Sequence, residues 1–198
     1  SMLAVHPSTP FKSMDDLIAA SKREPDKWSY GTSGVGGPHH LSGEYFKSVT
    51  GAILLHIPYK GGGPAMTDLM GGQLPMLFSS LGPAVGAVKS GKIRALTVTS
   101  LTRSGAFPDV PTMDELGFKG FDSTAWYGLL GPAGLPPEVV SRLSQAMQKA
   151  GEDKNLREQI NATGCDVDFL SPAQTTDKIK ADFAKWGRVV KEANIKVD

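Results

Sequence analysis

Cysteine is almost absent: Cys165 is the only one in 198 residues. An internal disulfide and a cysteine-rich metal site are therefore excluded, and stability must come from packing. That thiol, in the C-terminal region, reads as a small apolar filler. Neither sign of charge dominates, since 21 Lys and Arg face 20 Asp and Glu for a formal net charge of +1. A nucleic-acid partner needs a basic field and is not expected. No apolar run approaches the ~18 residues of a membrane span. A secretory signal is also missing. The chain opens Ser1-Met2-Leu3-Ala4-Val5-His6-Pro7, with no basic segment and a short apolar stretch. Ser1-Met2 reads as a cloning remnant and Leu3-Ala4-Val5 as a strand entered halfway. The natural protein is thus expected to continue upstream and to carry any export signal there.

What is present describes a folded chain. Apolar residues make up 40% and charged residues 21%, which excludes disorder. The length fits one or two domains of roughly 100–200 residues. Glycine (23) and proline (14) exceed average usage and gather in loops.

Ser13 and Asp16 form a capping-box signature, and Leu17, Ile18 and Ala20 predict a helix to about Arg23. Trp28-Ser29-Tyr30 reads as a strand running into a glycine-rich turn, Gly31 to Pro38. Pro38 suits a first helical position, with a helix through His40, Leu41, Tyr45 and Phe46 to about Val49. Ile53 to Ile57 reads as a buried strand closed by Pro58. Gly61-Gly62-Gly63-Pro64 opens another helix through Met66, Leu69 and Met70. Leu74–Phe78 and Ile93–Thr99 are strands flanking a helix over Pro83–Lys89. Alternation of this kind predicts an α/β layer fold with a parallel-type sheet and flanking helices. Residues 101–120 are irregular, Ala125–Leu130 reads as a strand, and helices follow over Pro137–Ala150, Asn155–Ala162 and Pro172–Val190. Trp28, Phe183 and Trp186 read as core residues. Trp126-Tyr127 is a candidate cleft wall.

The turn from Gly31 to His40 is the strongest local signal. A strand, a glycine turn and a helix start present free backbone N–H groups and partial positive charge, a setting that binds anions without a basic side chain. Thr32 and Ser33 add hydroxyls. The plainer alternative is a tight connection whose glycines only satisfy backbone angles. Tyr59-Lys60-Gly61-Gly62 follows another strand end and so falls on the same sheet edge, where open α/β sheets hold ligands. Lys60 is either a carboxylate's counter-charge or a solvated lysine. Ser79-Ser80 follows a third strand there. Nucleotide motifs fail: Gly37-Pro38-His39 stands where a phosphate loop needs Gly-Lys-Ser/Thr, and the G-x-G-x-x-G spacing is absent. His39, His40 and His56 lack supporting metal ligands, and adjacent helical histidines diverge by about 100°. No G-x-S-x-G elbow exists. Neither a metal, a cofactor nor a catalytic group is expected.

These segments together resemble the Bug family, the TctC-like extracytoplasmic substrate-binding proteins of tripartite tricarboxylate transporters. The resemblance lies in Tyr30 to Gly36 with His40-Leu41 and Glu44, then Ile57 to Gly62 with Asp68, Gly72 and Gln73. It continues through Gly91 to Ser100, Pro108 to Thr112, Trp126-Tyr127-Gly128, Pro132-Ala133-Gly134 and Lys185-Trp186. It spans essentially the whole chain.

The resemblance implies a type II periplasmic-binding-protein fold of two lobes, with one ligand carboxylate held by a glycine loop from each, partly through ordered water. On that reading residues 1–100 are the second, ligand-loop-bearing lobe, 101–120 a connection, and 121–198 a hinge strand and helical return into an incomplete first lobe. The implied ligand-binding residues are Gly31, Thr32, Ser33, Gly34, Val35, Gly36, His40, Tyr59, Lys60, Gly61, Gly62 and Ser79. The family often carries Asp where Ser79 stands, and its loss favours plain carboxylic acids over amino acids. The implied role is periplasmic capture of a small organic acid for membrane permease subunits. Apolar surface left by the missing strands is expected to drive self-association. Two rivals stay open: the sensing domain of a transcription regulator, and a carboxylate-processing enzyme with Ser33, His40 and Lys60 as its candidate groups.

Overall fold

The computed structural model describes residues 1–25 and 27–196, in two compact units: 1–125 with the chain after 188, and 126–188. In the first unit the strands are β1 (Met2–Val5), β2 (Ser29–Thr32), β3 (Leu55–Pro58), β4 (Met76–Ser79) and β5 (Arg94–Val98). They form one sheet in the order β3-β2-β4-β1-β5. Four helices alternate with them: α1 (Met14–Arg23), α2 (Pro38–Thr50), α3 (Gly62–Met70) and α4 (Leu81–Lys89).

Local chemistry sets these boundaries. Ser13 accepts the Asp16 amide and Asp16 accepts the Ser13 amide, the reciprocal cap expected from the sequence. Pro38 opens α2. Gly51 closes it in the left-handed region, its N–H donating to Lys47 O.

The sheet is apolar on both faces because its strands alternate toward two cores. Leu3, Val5, Tyr30, Met76 and Phe78 pack with Phe11, Leu17 and Phe46 on the side of α1 and α2. Met2, Ala4 and Leu77 pack with Met66, Leu69, Leu81 and Ala84 on the side of α3 and α4. This is the helix–sheet–helix layering expected from the strand and helix alternation.

Strand direction departs from a uniform parallel sheet at one strand. β2 is parallel to β3 and β4, whereas β1 runs antiparallel to both β4 and β5. The carboxyl ends of β2, β3, β4 and β5 therefore share an edge; Met2 pairs with both Ser79 and Val98.

Residues 99–125 contain no helix or named strand but are packed. Phe107, Met113 and Phe121 are buried, and Ser123 exchanges bonds with Thr99 and lies 2.6 Å from the buried Ser42 hydroxyl.

Two sequence expectations are corrected. Ile53–Ile57 is not a buried strand, since Ile53, Leu55 and Ile57 are exposed. β3 is an edge strand, a place where Pro58 is tolerated because one side needs no N–H. Ala125–Leu130 is not a strand: it has no ladder partner among the described residues, and Tyr127, Leu129 and Leu130 are exposed.

The second unit holds α5 (Pro137–Glu152), α6 (Lys154–Ala162) and α7 (Pro172–Glu192) as far as Arg188. None of its described residues is buried. Phe183, expected in a core, is 83% exposed, and Trp186, like Trp28 in the first unit, is only half-buried. Helical spacing marked an apolar stripe, and among the described residues of this unit no strand forms. Trp126 is tied down by its indole N–H, which donates to Asp182 at 2.8 Å.

Candidate functional site

The two glycine turns expected on one edge are joined there by backbone bonds. Tyr59 N–H donates to Thr32 O at 3.0 Å, and Gly61 N–H donates to Ser33 O at 3.3 Å. Gly31 lets the strands close: a Cβ there would strike the Leu74 side chain and press on the Tyr59 ring. Gly36 turns the chain toward α2 at φ 74°, a left-handed value that favours glycine.

The turn is held from inside by two histidines. Thr32, fully buried, accepts the Gly34 N–H and donates to Gly34 O at 3.0 Å. Its hydroxyl lies 2.6 Å from His56 Nε2. With the Thr32 proton on Gly34 O, His56 supplies its own Nε2–H. His40 Nδ1 accepts the Gly36 N–H at 3.1 Å, which puts the ring proton on Nε2, facing Glu44 Oε1 at 3.9 Å. The two rings stack at 3.8 Å, and Tyr30 also stacks on His56 at 5.0 Å. Tyr30 donates to Glu44, and Lys47 donates to both Glu44 oxygens at 2.9 Å.

The electrostatics follow from burial. Desolvation, then the adjacent His40, pushes His56 down to about 4, with Glu44 pulling the other way. Desolvation also lowers His40 against the pull of Glu44. Both rings are thus kept neutral. Burial, then the bond to Glu44, raises the Tyr30 phenol far above its ordinary value.

His39 meets the turn through a different residue, Ser33. Its Nδ1 is 3.2 Å from Ser33 Oγ and its Nε2 3.2 Å from Ser80 Oγ. Burial lowers its pKa.

The residues singled out in sequence thus divide. Val35 and Lys60 are exposed, Ser33, Gly34, Gly36 and Gly61 are half-buried, and Gly62 begins α3. Gly31 and Thr32 are buried, as is Ser79, whose hydroxyl donates to Ser80 O. The Tyr59 phenol turns toward α3 and donates to Asp68 at 2.8 Å. His40 is buried and faces Gly36 and Glu44. His39, His56 and Ser80 carry contacts that sequence reasoning did not assign. A histidine at the second position of the helix after a glycine turn was the available signal for His39.

Two turn amides, Gly34 and Gly36, are engaged internally. The first turn of α2 differs: Gly37 provides no side-chain cap, so the amides of His39 and His40 lack an intrahelical partner.

Among known proteins, BugT of Bordetella pertussis is 34% identical over 196 residues, covering 99% of this chain and 60% of BugT. A Rhodopseudomonas palustris protein solved with adipate superposes at TM-score 0.83 with 30% identity, over 98% of this chain and 65% of its own. MatC from Rhodopseudomonas palustris, with bound malate, superposes at TM-score 0.77 with 25% identity, over 96% of this chain and 65% of its own. The chain thus spans less than two thirds of these relatives. Its fold is that of periplasmic solute-binding proteins, a mixed α/β sheet with flanking helices. Residues 1–195 match the tripartite tricarboxylate transporter family receptor, and the chain belongs to that family.

Proposed function

We propose that this chain carries part of the ligand cleft of a periplasmic solute-binding receptor. That receptor captures a small carboxylic acid and hands it to membrane permease subunits. The observation that carries this reading is the cross-linked pair of turns at the carboxyl edge of β2 and β3, beside the uncapped start of α2. Peptide amides and partial positive charge at that point suit a carboxylate. The adipate and malate in the two similar structures are ligands of the same chemical class.

The role is binding rather than turnover. The ring beside Ser33 is His39, and its far nitrogen meets Ser80 Oγ, not a carboxylate that would hold an imidazolium during acyl transfer. Lys60, exposed at the rim, supplies a counter-charge.

Magnitudes set the expected affinity. Two or three charge-assisted hydrogen bonds contribute ~1.5–3 kcal/mol each, and a helix terminus adds ~0.3–2 kcal/mol. Association costs on the order of 4–15 kcal/mol. Binding to these turns alone is therefore weak. Amide chemical shifts detect weak binding and provide the test. Adipate or malate at tens of millimolar is expected to move the amides of residues 33–40 and 61–63 along saturable curves, while adipamide at equal ionic strength does not. Turn amides that ignore both acids would overturn the reading.

A further inference from the structure

We propose that His39 couples acid capture to proton uptake, by releasing the Ser33 and Ser80 hydroxyl protons toward the bound carboxylate when its ring becomes doubly protonated. The inference rests on the carboxylate-capture reading and adds a residue and a proton to it.

The argument is one of donors and acceptors. A neutral imidazole has one N–H and one bare nitrogen. Ser33 Oγ faces Nδ1 and Ser80 Oγ faces Nε2, each at 3.2 Å. In the neutral state one serine must give its only hydroxyl proton to the bare nitrogen. Only the other serine can then donate to a ligand. An imidazolium donates from both nitrogens, so both hydroxyl protons turn outward and a positive charge is added. An anion gains a donor and a counter-charge in the same step.

Ser80 gives independent support. It is the N-cap residue of α4, a position where serine ordinarily accepts a first-turn amide, yet it makes no side-chain cap bond. Its hydroxyl reaches across to His39 instead.

The surroundings hold the ring neutral until an anion arrives. Ser33 faces it from the β2 turn and Ser80 from the end of β4. Burial of the ring opposes its protonation. Glu44 and Lys47, on the same helix, act on His40 and His56. The start of α2 also disfavours a cation. A bound carboxylate reverses that balance.

Malate is the probe, studied between about pH 7.5 and 6, where both of its carboxyls are ionised. Ring and amide signals are followed in the chain as it stands. With malate, the His39 titration midpoint is expected to rise by about one unit. Affinity is expected to rise as pH falls, by at most about tenfold in all for a midpoint rise of about one unit. His39→Gln should bind malate with a flat pH profile. Ser80→Ala, a substitution at an exposed site, should shrink the midpoint shift and weaken malate binding, with the turn amides still responding at higher malate. A wild-type affinity that does not vary with pH, or a pH profile unchanged in His39→Gln, would overturn the inference and leave the capture reading intact. Turn amides of the wild type that ignore malate would sink that reading, and the inference with it.

Discussion

His40 and His56 stack face to face with ring centroids 3.8 Å apart and 11° between planes. Each ring also holds one end of the glycine turn, His56 through Thr32 and His40 through the Gly36 amide. The turn's shape thus depends on two neutral imidazoles that cannot both charge cheaply.

Acid should therefore loosen the first unit. The folded-state pKa of His56 is about 4, below the ordinary 6.5, and that of His40 is also lowered. The unfolded chain takes up protons first, so this stability is fully present above about pH 6.5 and is lost as pH falls toward 4. Because His56 is half-exposed, the loss discounted for solvent screening is roughly 1–3 kcal/mol. Urea unfolding midpoints across that window measure it, and His56→Gln is expected to flatten most of the slope.

Gly43→Ala should run against helix propensity. In an exposed helix interior the change stabilises by about 1 kcal/mol. Here the new Cβ would lie 2.6 Å from Tyr30 Cζ, inside the ring packed between His56 and Phe78. Overpacking costs ~1–3 kcal/mol, so a net loss is expected, read as a lower melting temperature.

Lys60→Gln should weaken malate or adipate binding about 1.4- to five-fold, the range of a rim charge worth ~0.2–1 kcal/mol. The difference should fade in high salt, where screening shortens to a few ångströms. Amide titrations at low and high ionic strength measure both effects.

The second unit should self-associate. Leu143, Met147, Ile179 and Phe183 are exposed on its helices, and apolar surface of this kind seeks a partner. Sedimentation velocity is expected to show concentration-dependent growth, reduced by Phe183→Glu. A single monomeric boundary at all concentrations would contradict this.

Legibility in the sequence followed the range of the interaction. The Ser13–Asp16 cap, the Pro38 helix start and the apolar run of β4 are local, and the residues alone located them. β1 was visible as a strand, but its direction depends on partners at Met76–Ser79 and Arg94–Val98, far along the chain. Ile53–Ile57 looked buried because a short apolar run reads alike at a sheet's centre and at its edge. Ala125–Leu130 had strand composition without a ladder to join. At the site the glycine turns stood out, whereas the link from Ser33 through His39 to Ser80 joins residues that only the sheet brings together.

The strand nearest the chain's start has a lasting effect on how this molecule is made. β1 sits between β4 and β5, and Leu3 and Val5 are wholly buried there. That slot is complete only once β5, at Arg94–Val98, has been made, so β1 docks late. Long-range pairing of this kind slows folding. Until β5 arrives, Met2 to Val5 is a sticky apolar ribbon, and this interval is when a chaperone has most to protect.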